Sequence, residues 1–174
     1  MLADTTYTCT GNDFTIAQAP YTISDSSSGY FTVASPLAPN LSFSSISYTS
    51  YSFSDGMQTL TNLNSRQVPL AISTDGSGNI VQWNLEIGPN INPYDYVFLD
   101  TFYVNPLKAA DFGQLELSST SVANASNGDD PGTWTSATVS SNPPGTTPEP
   151  SSLILLGTGL LSAVGVARRR LFSA

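Results

Sequence analysis

Few side chains in this sequence are suited to catalysis. The 174 residues include no histidine and one cysteine, Cys9. Without histidine the chain lacks the side chain most often used for proton transfer near neutral pH and the commonest transition-metal ligand. A Ser-His-Asp arrangement is therefore excluded, although serine is abundant. A single cysteine cannot form an intramolecular disulfide, and we expect Cys9 to be buried on a strand.

The acidic side chains are few and widely spaced. Glu86, Glu116 and the aspartates are candidates for the paired carboxyl groups that glycoside hydrolysis needs. The spacing favours no particular pair, and solvated surface positions account for all of them. A glycan hydrolase therefore stays a weak alternative, and we expect no catalytic residue and no enzymatic activity.

One segment has the ligand spacing of a calcium loop. Asp75, Ser77 and Asn79 alternate, and Glu86 follows Asp75 at the distance used in an EF-hand. Ile80 occupies the position where that loop needs glycine, and Glu86 falls on a predicted strand. A hairpin turn explains the same residues, so we expect no metal site and no cofactor.

The charge is distributed unevenly along the chain. Thirteen acidic and five basic residues give a net charge of −8, and three of the bases are Arg168, Arg169 and Arg170. Without those three positive charges the remainder of the chain has a net charge of −11, and its only basic residues are Arg66 and Lys108. Such a body repels phosphate backbones, so we expect no nucleic-acid partner.

Aromatic side chains are the candidate binding elements of the body. Exposed aromatic rings on a β-sheet can stack on sugar rings, and we take Trp134, Tyr96 and Tyr103 as candidate glycan contacts. Trp83 lies in a regular alternating strand and is expected in the core. For Trp134, in the polar context Gly-Thr-Trp-Thr-Ser, core packing and sugar contact both remain open.

The elements that position these residues are predicted to be β-strands. The clearest unit is a hairpin in which residues 70–74 and 80–87 flank the turn residues 75–79. Val81, Trp83, Leu85 and Ile87 share one predicted core face. The other predicted strands are 7–10, 14–16, 29–34, 45–54, 58–63, 94–104, 113–118 and 133–139. About eight to ten short strands with frequent turns predict an all-β antiparallel sandwich, jelly-roll-like or Ig-like.

The C-terminal segment has a different composition. Residues 153–167 are apolar except for Thr158 and Ser162, and no charge interrupts them. This length is at the short end of what crosses a bilayer as a helix. The three arginines that follow predict a cytoplasmic end, because basic flanks stay on that side. We therefore expect a β domain over 1–139, a linker over 140–147, and a tail with one transmembrane helix over 148–174.

The order of parts in this tail resembles a known sorting signal. Pro148-Glu149-Pro150, an apolar helix and the cluster Arg168-Arg169-Arg170 at the very end resemble the PEP-CTERM signal of Gram-negative bacteria. The two prolines hold the backbone extended, as a protease substrate requires. The resemblance is limited to about the last 28 residues of the chain.

The resemblance implies a route and a set of partners. Pro148, Glu149 and Pro150 would be the sorting motif read by exosortase, a membrane protease, and the arginines the stop-transfer element. The chain would be held in the inner-membrane lipid by its helix and, after processing, reach the cell surface or extracellular matrix. A structural or adhesive role in exopolysaccharide or biofilm is implied, with carbohydrate binding as the alternative. Family members begin with a signal peptide, and we expect the true start upstream of Met1-Leu2-Ala3.

Overall fold

The described part of the chain is all-β. The computed structural model describes residues 4–66, 70–89, 98–105, 108–118 and 121–138. Their strands are β1 (Thr5–Thr10), β2 (Ile16–Ala17), β3 (Ser28–Val33), β4 (Ser44–Ser45), β5 (Ser50–Ser54), β6 (Thr59–Thr61), β7 (Ser65–Arg66), β8 (Ala71–Thr74), β9 (Ile80–Pro89), β10 (Phe98–Asn105), β11 (Lys108–Ser118), β12 (Ser121–Gly128) and β13 (Thr133–Thr138). Within these ranges no helix is long and apolar enough to cross a membrane. The predicted linker and transmembrane helix lie outside the described residues.

The strands form two antiparallel sheets. The smaller has the order β13-β1-β3-β5-β6, and the larger has the order β2-β12-β11-β10-β9-β8-β4, with β7 pairing with β9. The prediction of an antiparallel, sandwich-like all-β body is confirmed. The first strand, β1, lies between β3 and the last strand, β13, with Thr5 opposite Thr138 and Thr10 opposite Thr133.

The inner faces of the sheets share one apolar core. Side chains alternate between the faces of a strand, so Phe31 of β3 is fully buried while its neighbour Tyr30 is 42% exposed. The core comprises Tyr7, Cys9, Phe31, Val33, Tyr51, Phe53, Leu60, Leu70, Ile72, Trp83, Leu85, Ile87 and Leu99. The expectation that Cys9 is buried on a strand is confirmed.

The predicted strand over 45–54 is wrong because the chain changes sheet inside it. The Ile46 amide donates to the Leu70 carbonyl beside the larger sheet, and the Thr49 amide donates to the Thr32 carbonyl of the smaller one. Between these two hydrogen bonds the backbone passes from β4 to β5. Strand-forming composition continues through the crossing, so the local pattern hides it.

The structure differs from the sequence predictions at three further points. β12 was not predicted, because its Ala and Asn residues have low strand propensity. Ala123 and Ala125 of β12 nevertheless pack against Phe14. Phe14 was predicted to lie on a strand over 14–16, but it precedes β2, which begins at Ile16. Val81 is 41% exposed and not in the core. The register shifts between Ser73 and Thr74, so Val81 is the extra residue of a β-bulge.

Asp55, which is fully buried, ties the two sheets together at one end. Its carboxylate accepts hydrogen bonds from the Tyr21 hydroxyl at 2.6 Å and from the backbone amides of Met57 at 3.0 Å and Gln58 at 2.9 Å. The Gln58 Nε2 also bonds this carboxylate at 2.9 Å and the Gln114 carbonyl of β11 at 3.1 Å. Asp55 therefore connects the end of β5 to the larger sheet.

We expect Asp55→Ala to destabilise the body by about 3 kcal/mol or more, because it leaves several buried donors without an acceptor. The free energy of unfolding, measured with denaturant and followed by tryptophan fluorescence, checks this. Asp4→Ala, at an exposed position before β1, is the control and should change stability by less than about 0.5 kcal/mol. Equal stability of the two variants would contradict the stabilising role of the Asp55 hydrogen bonds.

Candidate functional site

Three aromatic residues meet at one end of the sandwich. Trp83 of β9, Tyr103 of β10 and Trp134 of β13 line an open cavity of about 300 Å³. The remaining lining residues are Ile80, Val81, Pro131, Gly132 and Thr133. We refer to this cavity as the aromatic cleft. Its lining contains no charged side chain, so the chemistry it offers is ring stacking and hydrogen bonding.

Trp83 forms the floor of the aromatic cleft. It faces Tyr103 across the β9–β10 pair, and their ring centroids are 5.4 Å apart at an interplanar angle of 38°. The Trp83 Nε1–H donates to the Thr101 hydroxyl at 3.0 Å. Trp83 is only 5% exposed, so the prediction that it belongs to the core is confirmed. The small exposed part of its side chain lines the aromatic cleft.

Trp134 comes from the edge strand of the other sheet. It lies opposite Cys9 of β1, and its half-buried ring packs 5.4 Å from the Phe31 ring and 6.0 Å from the Trp83 ring, between centroids. Trp134 therefore packs against the core rings and also lines the aromatic cleft, and sugar contact at this residue stays a prediction. Its Nε1–H is buried and makes no hydrogen bond within the described part of the chain. A buried indole donor without an acceptor is uncommon.

Gly132 permits the close approach that places Trp134. A Cβ at this position would lie 2.1 Å from the Thr10 carbonyl oxygen, a distance that no side chain tolerates. The chain can therefore pass directly over the end of β1 before it enters β13. A larger residue would displace the start of β13 and, with it, the Trp134 side of the aromatic cleft.

A buried polar group lies behind the aromatic cleft on the larger sheet. Asp111 of β11 is fully buried and lies opposite Thr101 on one side and Asn127 on the other. Burial raises the pKa of Asp111 to about 6, while the nearby Thr101 hydroxyl and Gly132 amide partly oppose that shift. Neither carboxyl oxygen has a hydrogen bond of ordinary geometry, and the same holds for Asn127 Oδ1.

The Cys9 thiol is a poor nucleophile in this environment. Burial raises the pKa of the Cys9 thiol to about 12, and the charge of Asp111 adds to the shift. The thiolate is the reactive form of cysteine, so a nucleophilic role for Cys9 is disfavoured.

Two of the three predicted glycan contacts, Tyr103 and Trp134, come together in the aromatic cleft. Tyr96 lies outside the described residues, as do the sorting motif Pro148-Glu149-Pro150 and the three arginines. The local sequence pattern provided no reason to join Trp134 to Tyr103, because the two lie in different sheets. It also offered no signal for Asp100 and Asp111, whose environments depend on strand register.

In the predicted turn over residues 75–79, the Asp75 carboxylate accepts hydrogen bonds from other residues of the same turn. Asp75 Oδ1 accepts from the backbone amides of Ser77 at 2.8 Å and Asn79 at 2.9 Å, and Asn79 Nδ2 donates to Oδ2 at 2.9 Å. The Asn79 side chain, followed by these amides, lowers the pKa of Asp75. Among the residues that the structure describes, no three acidic or cysteine side chains are grouped to hold a metal ion.

Comparison with known proteins identifies the tail. Residues 146–170 match the family model described as the PEP-CTERM protein-sorting motif, which confirms the resemblance stated for this segment. The motif marks a chain for membrane passage, processing by exosortase and export to the cell surface. Neither the curated proteins nor the solved structures contain a match to this chain.

Proposed function

We propose that this protein is a non-enzymatic structural or adhesive component of the extracellular polysaccharide matrix, delivered there through its C-terminal tail. The observation that carries the proposal is the match of residues 146–170 to the PEP-CTERM motif. The absence of histidine supports a role without catalysis. A net charge of −11 on the chain without its three terminal arginines favours a protein that stays soluble outside the cell and avoids anionic lipid.

In this proposal the tail acts as a temporary anchor. Residues 153–167 span the inner membrane as a helix, because the run carries no charge and its length is at the short end of what crosses a bilayer. The glycines within it are tolerated in membrane helices. Arg168, Arg169 and Arg170 hold the cytoplasmic end, and the β domain lies outside the cytoplasm.

Fractionation of the full-length protein in its own host tests this route. We expect a larger form in the inner-membrane fraction and a shorter form, without the tail, at the cell surface or in the extracellular matrix. Mass spectrometry of the shorter form should place its C-terminus near Pro148-Glu149-Pro150. A single full-length species in the cytosolic fraction would refute the proposal.

Carbohydrate binding by the body is the second candidate function. It is favoured by the aromatic cleft, where Trp83, Tyr103 and Trp134 line one uncharged cavity. Sugars present apolar C–H faces and many hydroxyl groups, which suit aromatic rings that also carry polar tips.

We expect Tyr103→Ala to weaken binding of a neutral glucan by about tenfold, the equivalent of about 1.4 kcal/mol, because it removes one of the three rings that line the aromatic cleft. Affinity electrophoresis of the detergent-solubilised full chain through gels containing laminarin, dextran or hydroxyethyl cellulose measures this. Tyr30→Ala removes an exposed ring from the smaller sheet and should leave migration unchanged. Equal retardation of both variants would show that the aromatic cleft is not the binding site.

A further inference from the structure

The outer face of the larger sheet carries a second cavity. It has a volume of about 380 Å³ and is lined by Phe43, Asn84, Asp100, Phe102, Val104 and Lys108. Successive residues of a strand point to opposite faces. On β10, Tyr103 therefore points towards the aromatic cleft, and Phe102 and Val104 point towards this outer-face cavity. On β9, Trp83 points towards the aromatic cleft and Asn84 towards the outer-face cavity.

Strand register explains why the outer-face cavity is open between two aromatic rings. Phe102 lies opposite Asn84 on β9 and Ala110 on β11, and Asn84 lies opposite Ala71 on β8. The small side chains at 71 and 110 leave the space beside Phe102 unfilled. Phe43, which is 45% exposed, stands just before β4 and forms the far wall.

A carboxyl group lies at one side of this cavity. Asp100 is half-buried, and its Oδ1 is buried without a hydrogen-bond partner among the described residues. Burial, followed by repulsion from Glu86 and Asp111, raises the pKa of Asp100 to about 7. Near neutral pH the carboxyl group can therefore both donate and accept a hydrogen bond. Glu86 lies directly opposite on β9 and is exposed, and Lys108, also exposed, is the cation among the lining residues.

These groups together define a ligand chemistry. Phe43 and Phe102 offer apolar rings, while Asp100 and Asn84 offer planar donors and acceptors beside them. A polyhydroxylated ring with apolar C–H faces uses both kinds of group. The two carboxyl groups at Asp100 and Glu86, together with the net charge of −11 on the chain without its three terminal arginines, repel anionic polymers. A neutral saccharide is the ligand class that fits.

We propose that the outer-face cavity is a saccharide-binding site separate from the aromatic cleft, and that one domain thereby holds two segments of neutral polysaccharide. The proposal rests on the matrix role proposed above and adds a mechanism to it. The two cavities lie on opposite faces of the β9–β10 pair, so one sugar ring cannot occupy both. Two weak sites on one body cross-link long polymers, because each chain offers many repeats and binding becomes multivalent.

The test uses the detergent-solubilised full chain and four neutral polymers: laminarin, dextran, hydroxyethyl cellulose and galactomannan. Affinity electrophoresis reports binding, and light scattering of a dilute polymer solution reports cross-linking. We expect the unmodified protein to bind at least one polymer and to increase its scattering. Phe102→Ala should weaken binding about threefold to tenfold and abolish the rise in scattering, since only the aromatic cleft remains.

A conservative variant and a matched control complete the design. Asp100→Asn keeps the shape of the side chain and should also lower cross-linking, while Tyr30→Ala should match the unmodified protein. Near-ultraviolet circular dichroism verifies that each variant is folded. If Phe102→Ala and Asp100→Asn cross-link like the unmodified protein, or if none of the four polymers binds, the proposal is overturned. Neither result affects the fractionation experiment, which tests the matrix route separately.

Discussion

Replacing Pro148, Glu149 and Pro150 together by alanine should leave the full-length chain in the inner membrane and reduce release of the shorter form at least about tenfold. Residues 146–170 match the PEP-CTERM protein-sorting motif, and the two prolines of the predicted sorting motif disfavour helical backbone. Alanine favours helical backbone, so we expect the replaced segment to be a poorer protease substrate. Immunoblots of membrane and extracellular fractions measure the ratio of the two forms.

A matched control separates the motif from proline content as such. Pro143 and Pro144 lie a few residues upstream in the predicted linker, and their joint replacement by alanine should leave processing at the unmodified level. Normal release of the Pro148-Glu149-Pro150 variant would show that this motif is not what the protease reads. Loss of release in both variants would instead indicate a requirement for an extended linker.

Asp111→Asn should make the body more stable at pH 8 by up to about 3 kcal/mol. The pKa of Asp111 is raised from 3.8 to about 6, so the folded protein holds the proton more tightly than the unfolded chain does. The stability linked to this proton is fully present below about pH 4 and is lost as the pH rises through about 6. Asparagine cannot ionise, and its amide can donate to Asn127 Oδ1, which lacks a partner in the described residues.

Denaturant unfolding of the full chain at pH 4, 6 and 8 measures the effect. The stability difference between Asp111→Asn and the unmodified protein should grow as the pH rises from 4 to 8. Asp100, with its pKa raised to about 7, acts in the same direction, so the variant keeps part of the pH dependence. Asp13→Asn at an exposed position should change stability by less than about 0.5 kcal/mol at each pH. A constant difference across the three pH values would contradict the assignment to Asp111.

Local sequence patterns predicted the features that depend only on residues near one another in the chain. Trp83, Leu85 and Ile87 alternate with polar residues and are buried as expected, and the tail motif is recognisable because its three parts are consecutive. The pattern failed at Val81, where a β-bulge in the β8–β9 pair shifts the alternation. A bulge depends on the partner strand, which the sequence of β9 does not contain.

Both cavities depend on which strands become neighbours, and this could not be predicted. Trp134 meets Trp83 because β13 closes the edge of one sheet over the end of the other. Asp100 acquires its environment from Glu86, its partner across the β9–β10 pair. Alternation predicts the face to which a side chain points, but the pairing that brings distant residues together follows from the packing of the whole domain.

The pairing of β1 with β13 sets the time at which this domain can finish folding. Of the described strands, β1 leaves the ribosome before the others, yet one of its two edges stays open until residue 138 has followed. Ring contacts of Phe31 and Phe53 with Trp134 are likewise delayed until the last strand arrives. A chain that is translocated before residue 138 is complete would therefore cross the membrane with the smaller sheet still unfinished at this edge.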